Sequence, residues 1–156
     1  MDKIDKIILK ILSENSMATA TEIGATVNLS IPAVNKRIQK LRESGVIRSF
    51  TVLTDEKKVS KPICAFIMIT VKYGDGVTSL HNFVNNDPDV LEFYAVTGDY
   101  DYILKICAKD VEGLEDKLLS LKKQKCVVKS HTMLALMEHK LAPTALPDID
   151  EASENE

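Results

Sequence analysis

A short turn between two well-marked helices is the feature that most restricts how this chain can fold. Thr19 and Glu22 have capping-box spacing, in which the threonine accepts from the amide of Glu22 and the glutamate reaches back. Asn28 tolerates a positive φ angle and can end this helix. Ser30 can then cap the next helix, which has Pro32 in its first turn. The sequence therefore predicts a tight helix-turn-helix.

Apolar residues on both sides of the turn follow the periodicity of helices with one buried face. The first helix carries Ile4, Ile7, Ile8, Ile11 and Leu12, and the third carries Ile31, Val34, Ile38 and Leu41 on its inward side. Gly45 closes the third helix, and the β-branched and aromatic run from Val46 to Leu53 predicts a strand. Residues 1–53 are thus predicted to form a winged helix-turn-helix domain, followed by a polar linker at 54–61.

The second half alternates strand and helix patterns in the order β-α-β-β-α-β. Strands are predicted at 62–71, 90–96, 102–107 and 127–137, with amphipathic helices after the first and third. Residues 62–141 should therefore form a ferredoxin-like domain, a four-stranded antiparallel sheet with both helices on one face. The fold class is α+β.

The opposite face of this predicted sheet has no helix to cover it. It would expose apolar side chains such as Cys64, Phe66 and Met68, or their alternates along the strand. Two domains this small bury only part of their surface and commonly gain stability by oligomerising. We therefore expect self-association into at least a dimer.

Charge is distributed unevenly along the chain. The formal net charge of −3 breaks down to +3 for residues 1–58, −1 for 59–141 and −5 for 142–156. The last segment contains prolines and has almost no apolar pattern, so we expect an acidic, flexible tail. The overall acidity therefore does not argue against nucleic-acid binding by the first domain.

Polar and basic side chains occupy the outward face of the predicted third helix and its flanks. Lys and Arg can neutralise phosphates or donate to guanine, whereas Asn and Gln can bond adenine. The candidate DNA-binding residues are Ser30, Ala33, Asn35, Lys36, Arg37, Gln39 and Lys40, with Arg48 on the strand that follows. The alternative is an ordinary solvated face, but a capped helix after a tight turn favours double-stranded DNA. For Arg48, a solvated strand end is an equally good interpretation.

Other classes of protein find no support in the sequence. The N-terminus has no secretory signal, and the longest apolar stretch, Ile63 to Val71, is too short to span a bilayer. The three cysteines form no C-x-x-C pair and are expected to be buried free thiols. The histidines are dispersed and no catalytic motif is present. We expect a cytoplasmic protein that is not an enzyme, with neither a metal site nor a cofactor.

Three stretches resemble the Lrp/AsnC family of feast/famine regulators: DKIIL at 5–9, LSIPAVNKRIQKLRESGVI at 29–47 and GDYD at 98–101. The resemblance implies a DNA-binding winged helix and a ferredoxin-like domain that dimerises, with dimers that can assemble into octamers. It also implies an amino acid or related small molecule as effector, and a supporting role for Arg37 in the recognition helix. The residues matching the family's effector cleft are Gly98, Asp99, Tyr100, Asp101, Thr132, Met133 and Leu134. Family members often have glycine at the positions of Asn28 and Ser60.

The hairpin residues also have chemistry suited to an amino acid. Backbone amides around Gly98 could receive an α-carboxylate, and Asp99 or Asp101 could accept from an α-ammonium group. From the residues alone, an ordinary tight turn with solvated acids is the better interpretation, and the resemblance reverses that preference. We therefore expect a sequence-specific transcription regulator modulated by a small molecule. The alternatives are an architectural DNA-binding protein without a ligand and a ligand-binding module whose helical head contacts a protein.

Overall fold

The computed structural model describes residues 1–148, which fall into two compact units. The first unit contains Met1–Val52 together with the described residues 140–148, and the second contains Leu53–His139. Helices α1 (Lys3–Glu14), α2 (Ala20–Val27) and α3 (Ile31–Glu43) form the first unit. The second unit consists of β1 (Ile63–Val71), α4 (Gly76–Asn85), β2 (Val90–Ala95), β3 (Tyr102–Ala108), α5 (Val111–Lys122) and β4 (Val127–Leu134).

The turn between α2 and α3 has the predicted construction. Thr19 and Glu22 form a complete capping box at the start of α2. Asn28 ends the helix in the left-handed region, with φ 54° and ψ 50°. Ser30 occupies the N-cap of α3, but its side chain makes no capping hydrogen bond, which corrects that part of the prediction. Pro32 is the second residue of α3 and has no N–H. One of the two backbone donors from which the side chain of an N-cap residue accepts a hydrogen bond is therefore missing.

The helical unit is held together by a small apolar core. Ile8 of α1, Ile23 of α2 and Val34 of α3 are each 0% exposed, and Leu12 and Leu41 are buried beside them. Each helix therefore contributes to one shared core, which fixes how α3 lies against α1 and α2. Burying one such side chain stabilises a fold by about 1.5–3 kcal/mol.

The predicted strand at Val46 to Leu53 is wrong, because the structure has no strand there. Ile47 donates its amide to the carbonyl of Leu41 and packs on the helical core, but Val52 is 82% exposed. A strand exists only when a second strand satisfies its backbone groups. Within residues 1–52 no other strand is present, so this segment has no partner strand despite its β-forming residues.

The second unit is a four-stranded antiparallel sheet in the order β2-β3-β1-β4, which confirms the ferredoxin-like prediction. Alternate residues of β1, namely Ala65, Ile67, Ile69 and Val71, face the helices and are buried. Leu80 of α4 and Leu114 of α5 belong to the same core. Both helices therefore cover one face of the sheet.

The last strand is three residues shorter than predicted and ends at Leu134 rather than Met137. Its neighbour β1 begins at Ile63, and the amide of Ala135 makes the last cross-strand bond, to the carbonyl of Cys64. Beyond that point only Ile63 of β1 remains, and it pairs with Ala108 of β3 and not with β4. Met137 is accordingly 72% exposed.

The face of the sheet away from the helices carries the alternate residues of each strand. Phe66 and Met68 of β1 lie opposite Lys105 and Ile103 of β3, and Phe66 lies opposite Met133 of β4. We call this the open face. Because it is partly apolar and neither α4 nor α5 packs on it, it is the surface on which the expectation of self-association depends.

Candidate DNA-binding and ligand-binding sites

The outward face of α3 presents the polar side chains that the sequence placed there. Asn35, Lys36, Gln39 and Lys40 are exposed, whereas Val34 on the opposite side is completely buried. The side-chain amide of Gln39 donates to Glu43 at 2.7 Å, along the same helix. Ser30 and Arg48 are exposed at the two ends of this surface, and Ala33 is half-buried. This arrangement gives hydrogen-bonding groups and positive charge on one side of a rigidly supported helix.

Arg37 differs from its neighbours because its guanidinium is already paired within the chain. Its Nη1 donates to Asp2 Oδ2 at 2.6 Å and to Asp5 Oδ1 at 2.8 Å, and its side chain is 29% exposed. The two aspartates also form the capping box of α1, where Asp2 Oδ1 accepts from the amide of Asp5 at 2.8 Å. Arg37 therefore fastens α3 to the start of α1.

This network favours the charged forms of Asp2 and Arg37. The pKa of Asp2 lies below its ordinary value, because its carboxylate accepts from the backbone amide of Asp5 and from Arg37. The hydrogen bonds to Asp2 and Asp5 raise the pKa of Arg37. Sequence reasoning did not single out either aspartate, although the spacing of Asp2 and Asp5 is that of a cap and could have been noticed.

The connection between β2 and β3 is a closed turn at the end of the sheet. The amide of Val96 donates to the carbonyl of Asp101 at 2.9 Å, and Ala95 pairs with Tyr102. Gly98 has φ 112°, a conformation that favours glycine, and its backbone lies in the exposed tip of the turn. Asp99 is exposed beside it. A hairpin with exposed tip residues is thus present where it was predicted.

Asp101 is engaged inside the fold. Its Oδ2 accepts from the amide of Val71 at 2.8 Å, and its Oδ1 accepts from the hydroxyl of Tyr73 at 3.3 Å. The amide of Asp101 also donates to the carbonyl of Ile69. Burial, followed by the nearby charge of Asp101, raises the pKa of Tyr73. Asp101 therefore ties the hairpin to the end of β1, and Asp99 is the hairpin carboxylate left at the surface.

Tyr100 extends from the hairpin onto β4. Its ring centroid is 6.2 Å from that of His131, and the Nζ atom of Lys129 lies 5.4 Å from the Tyr100 centroid. Lys129 and His131 are exposed and were not among the predicted site residues. Because side chains two apart on a strand share a face, their spacing on the predicted β4 could have indicated a common surface.

The three predicted effector residues of β4 do not share one face. Thr132 lies opposite Ile67 and shares the helix-covered side, whereas Met133 lies opposite Phe66 on the open face. Leu134 pairs with Ala65, whereas the hairpin bonds to β1 at Ile69, four residues away. At roughly 3.3 Å per residue, that separation is about 13 Å along the strand. Within one chain the structure therefore does not bring Leu134 together with Gly98 and Asp99.

Among residues 1–148, no three His, Cys, Asp or Glu side chains are grouped in a way that could hold a metal ion. In that same part of the chain, every helix is too short or too polar to cross a bilayer.

Comparison with known protein families then assigns both units. A family described as winged helix-turn-helix DNA-binding matches residues 1–48, and the Lrp/AsnC ligand binding domain matches residues 64–145. The latter match alone spans more than half of the chain. This chain belongs to the Lrp/AsnC family.

Individual Lrp/AsnC proteins resemble the chain over nearly its whole length. The HTH-type transcriptional regulator FL11 of Pyrococcus horikoshii is 38% identical over 147 residues, which is 94% of this chain and 96% of the relative. A transcriptional regulator from Neisseria meningitidis, solved as a complex with L-Met, has a TM-score of 0.89 at 29% identity, with 94% and 96% of the two chains covered. An AsnC family regulator from Agrobacterium tumefaciens gives 0.86 at 30% identity, covering 94% and 97%.

These matches settle the general class of the protein. It is a helix-turn-helix transcription regulator with a ligand-binding domain, as are its Lrp/AsnC relatives, and it is not an enzyme. The two positions where the family often has glycine, Asn28 and Ser60, are the two non-glycine residues with positive φ among residues 1–148, at 54° and 63°. The family's glycine preference therefore has a conformational cause in this chain.

Proposed function

We propose that this Lrp/AsnC protein binds specific DNA sequences by placing α3 in the major groove. The observation that supports this most strongly is the division of α3 into a buried side at Val34 and Leu41 and an exposed side with Asn35, Lys36 and Lys40. A helix presented in this way is how helix-turn-helix proteins reach base edges. Gln39 adds a bidentate hydrogen-bonding group, once its contact with Glu43 is released.

The residues of this surface have different roles in the proposal. Lys36, Lys40 and the exposed Arg48 contact phosphates or guanine, and Ser30 and Asn35 supply hydrogen bonds near the start of the helix. Ala33 permits close approach, because its side chain is small and half-buried. Arg37 acts through its pairing with Asp2 and Asp5, which keeps α3 at a fixed angle to α1.

The salt dependence of DNA binding tests this assignment. Fluorescence anisotropy with duplex DNA from upstream of the protein's own gene should give an affinity that falls as salt rises, with a logarithmic slope of about 0.9 per neutralised phosphate. Lys36→Ala and Lys40→Ala should each lower both affinity and slope. Lys122→Ala, at an exposed position on α5, is the matched control and should change neither. Unchanged slopes in the α3 variants would contradict the assignment.

A second measurement separates regulation from architecture. The same titration with a duplex of scrambled sequence should give an affinity at least about 1000-fold weaker. A ratio near unity would favour the architectural alternative, in which DNA is bound broadly and no ligand is needed. Absence of binding to both duplexes would favour a head that contacts a protein.

We propose further that the ligand-binding domain takes an amino acid at the surface made by the hairpin. Gly98, Asp99 and Tyr100 supply backbone amides, a carboxylate and an aromatic ring at one end of the sheet, where Lys129 and His131 add hydrogen-bonding side chains. Asp99 is suited to accept from an α-ammonium group, whereas Asp101 holds the turn in place. The L-Met complex of the structural relative makes methionine a reasonable first ligand.

A site of this kind fits an assembly better than a single chain. Thr132 faces the helices, and Leu134 lies about 13 Å along the strand from the hairpin, so a second copy of the chain is needed to bring the end of β4 to the site. In the proposal, the ligand therefore joins the hairpin of one copy to β4 of another. Ligand binding would then change assembly, and assembly would change DNA affinity.

Calorimetry with each of the twenty amino acids, starting with L-Met, tests the ligand. Asp99→Ala should abolish or greatly weaken the binding heat, because the exposed carboxylate that accepts from the ammonium group is lost. Asp116→Ala, an exposed aspartate on α5, is the matched control and should bind like the unmodified protein. Equal heats for the two variants would rule out the role of Asp99.

Self-association through the open face completes the proposal. Phe66, Met68, Ile103 and Met133 provide a partly apolar patch at its centre. Met68→Lys should shift the protein from dimers, or assemblies of dimers up to octamers, toward monomers in sedimentation velocity. An unchanged distribution would show that the chains associate through another surface.

A further inference from the structure

Cys64 and Cys107 lie directly opposite each other on β1 and β3. The carbonyl of Cys64 accepts from Ala135 on the β4 side, and the amide of Cys107 donates to Asp89 on the other side. Both residues therefore turn their backbone groups away from each other, which makes them a non-hydrogen-bonded pair. Such partners have Cα atoms about 4.5 Å apart, within the range of about 4.4–6.8 Å that a disulfide spans.

The two thiols also share a face of the sheet and already interact. Burial raises the pKa of Cys107 to about 11, and the neighbouring Cys64, which is hydrogen-bonded to it, contributes in the same direction. Glu56 adds to this shift and Lys105 opposes it. Cys107 is 2% exposed, whereas Cys64 is half-buried and lies next to the first residue of β1, at the margin of the open face and four residues from Met68 at its centre. Oxidation should therefore begin at Cys64.

We propose that Cys64 and Cys107 form a reversible intrachain disulfide, so that this Lrp/AsnC regulator carries a thiol oxidation site on the open face of its ligand-binding domain. The oxidant is a low-molecular-weight disulfide. The Cys64 thiolate attacks one of its sulfur atoms and expels the other as a thiolate, leaving a mixed disulfide on Cys64. Cys107 then loses its proton to water and attacks the Sγ atom of Cys64, which expels the second thiolate. Two electrons and two protons pass from the cysteine pair to the oxidant.

The third cysteine provides an internal comparison. Cys126 is also free and buried, but it precedes β4 and packs against Gly76 rather than facing another cysteine. General oxidation of exposed thiols would not select Cys64 and Cys107. The register of β1 and β3 therefore predicts that the disulfide joins Cys64 to Cys107 and leaves Cys126 free.

Oxidised glutathione added to the reduced, full-length protein tests the proposal. Intact mass should fall by two hydrogen atoms per chain, and proteolytic mapping should find one peptide pair, joining Cys64 to Cys107. The melting temperature should rise by about 5 °C or more and return on reduction, since the bond restricts the unfolded chain. Cys126→Ala should behave in the same way as the unmodified protein.

Two variants identify the order of events. Cys107→Ala should stop at a glutathione adduct on Cys64, and Cys64→Ser, at the more exposed position, should form neither adduct nor disulfide. If Cys107→Ala fails to fold, Cys64→Ser and the peptide map still decide the question. Absence of reaction in the folded protein, a bond between chains, a link involving Cys126 or a fall in melting temperature would each overturn the proposal.

Discussion

Replacing Gly24 with alanine tests how closely the helix-turn-helix is packed. A Cβ atom added at Gly24 would lie 2.6 Å from the carbonyl oxygen of Leu29, about 0.8 Å short of the 3.4 Å at which ordinary contact begins. Leu29 is in the turn before α3, and its amide donates to the carbonyl of Gly24 at 3.0 Å. The obstructing atom is backbone, so it can move only if the turn moves with it.

Two opposing effects set the size of the change. Overpacking in a well-packed region costs about 1–3 kcal/mol, whereas replacing glycine by alanine inside a helix stabilises by about 1 kcal/mol. The clash should therefore prevail, and Gly24→Ala is expected to lower the free energy of unfolding by about 1 kcal/mol. For a unit of this size, that corresponds to a fall of about 4–8 °C in melting temperature.

Urea unfolding of the full-length protein, followed by far-UV circular dichroism, measures the change. Ala25→Gly is the matched control, since Ala25 is the adjacent, exposed residue of α2 and its substitution reports helix propensity alone. The variant Gly24→Ala should also bind DNA more weakly, because displacement of the turn changes the orientation of α3 relative to α2. If Gly24→Ala instead stabilises the protein by as much as Ala25→Gly destabilises it, no clash exists and the reasoning fails.

Three further outcomes follow from local geometry. Ser60→Gly should stabilise the protein by roughly 0.5–1 kcal/mol, because Ser60 has φ 63°, and Asn28→Gly should change the urea midpoint less, since asparagine tolerates this region. Thr19→Ala should destabilise α2 by about 1 kcal/mol in the same assay, because the cap to the amide of Glu22 is lost. Asp2 has a lowered pKa in the fold, so its carboxylate stabilises the protein above its ordinary value of 3.8 and this contribution disappears as pH falls through the lowered pKa. The melting temperatures of Asp2→Asn and the unmodified protein should therefore differ at neutral pH, and the difference should shrink as the pH is lowered below 3.8; a gap that stays constant across that range would contradict this sign.

The sequence determined those features that depend on residues close together in the chain. Capping by Thr19 and Glu22, the left-handed turn at Asn28 and the apolar spacing of the helices are all local, and the structure has them within a residue or two. The order of strands and helices in the second unit was likewise readable, because strand alternation and helix periodicity are short-range patterns. The resemblance to the Lrp/AsnC family could likewise be recognised from short motifs in the sequence.

Tertiary structure decided what depends on partners far apart in sequence. The segment after Gly45 has strand-forming residues but no strand to pair with, so its propensity was not realised. Arg37, which looked like a DNA contact from its helix alone, is paired with Asp2 and Asp5, more than thirty residues earlier. The opposition of Cys64 and Cys107 depends on strand register, which no local pattern fixes until β1 and β3 are aligned. The sequence specifies which side chains are present, but which of them contact each other is determined only when distant segments pack together.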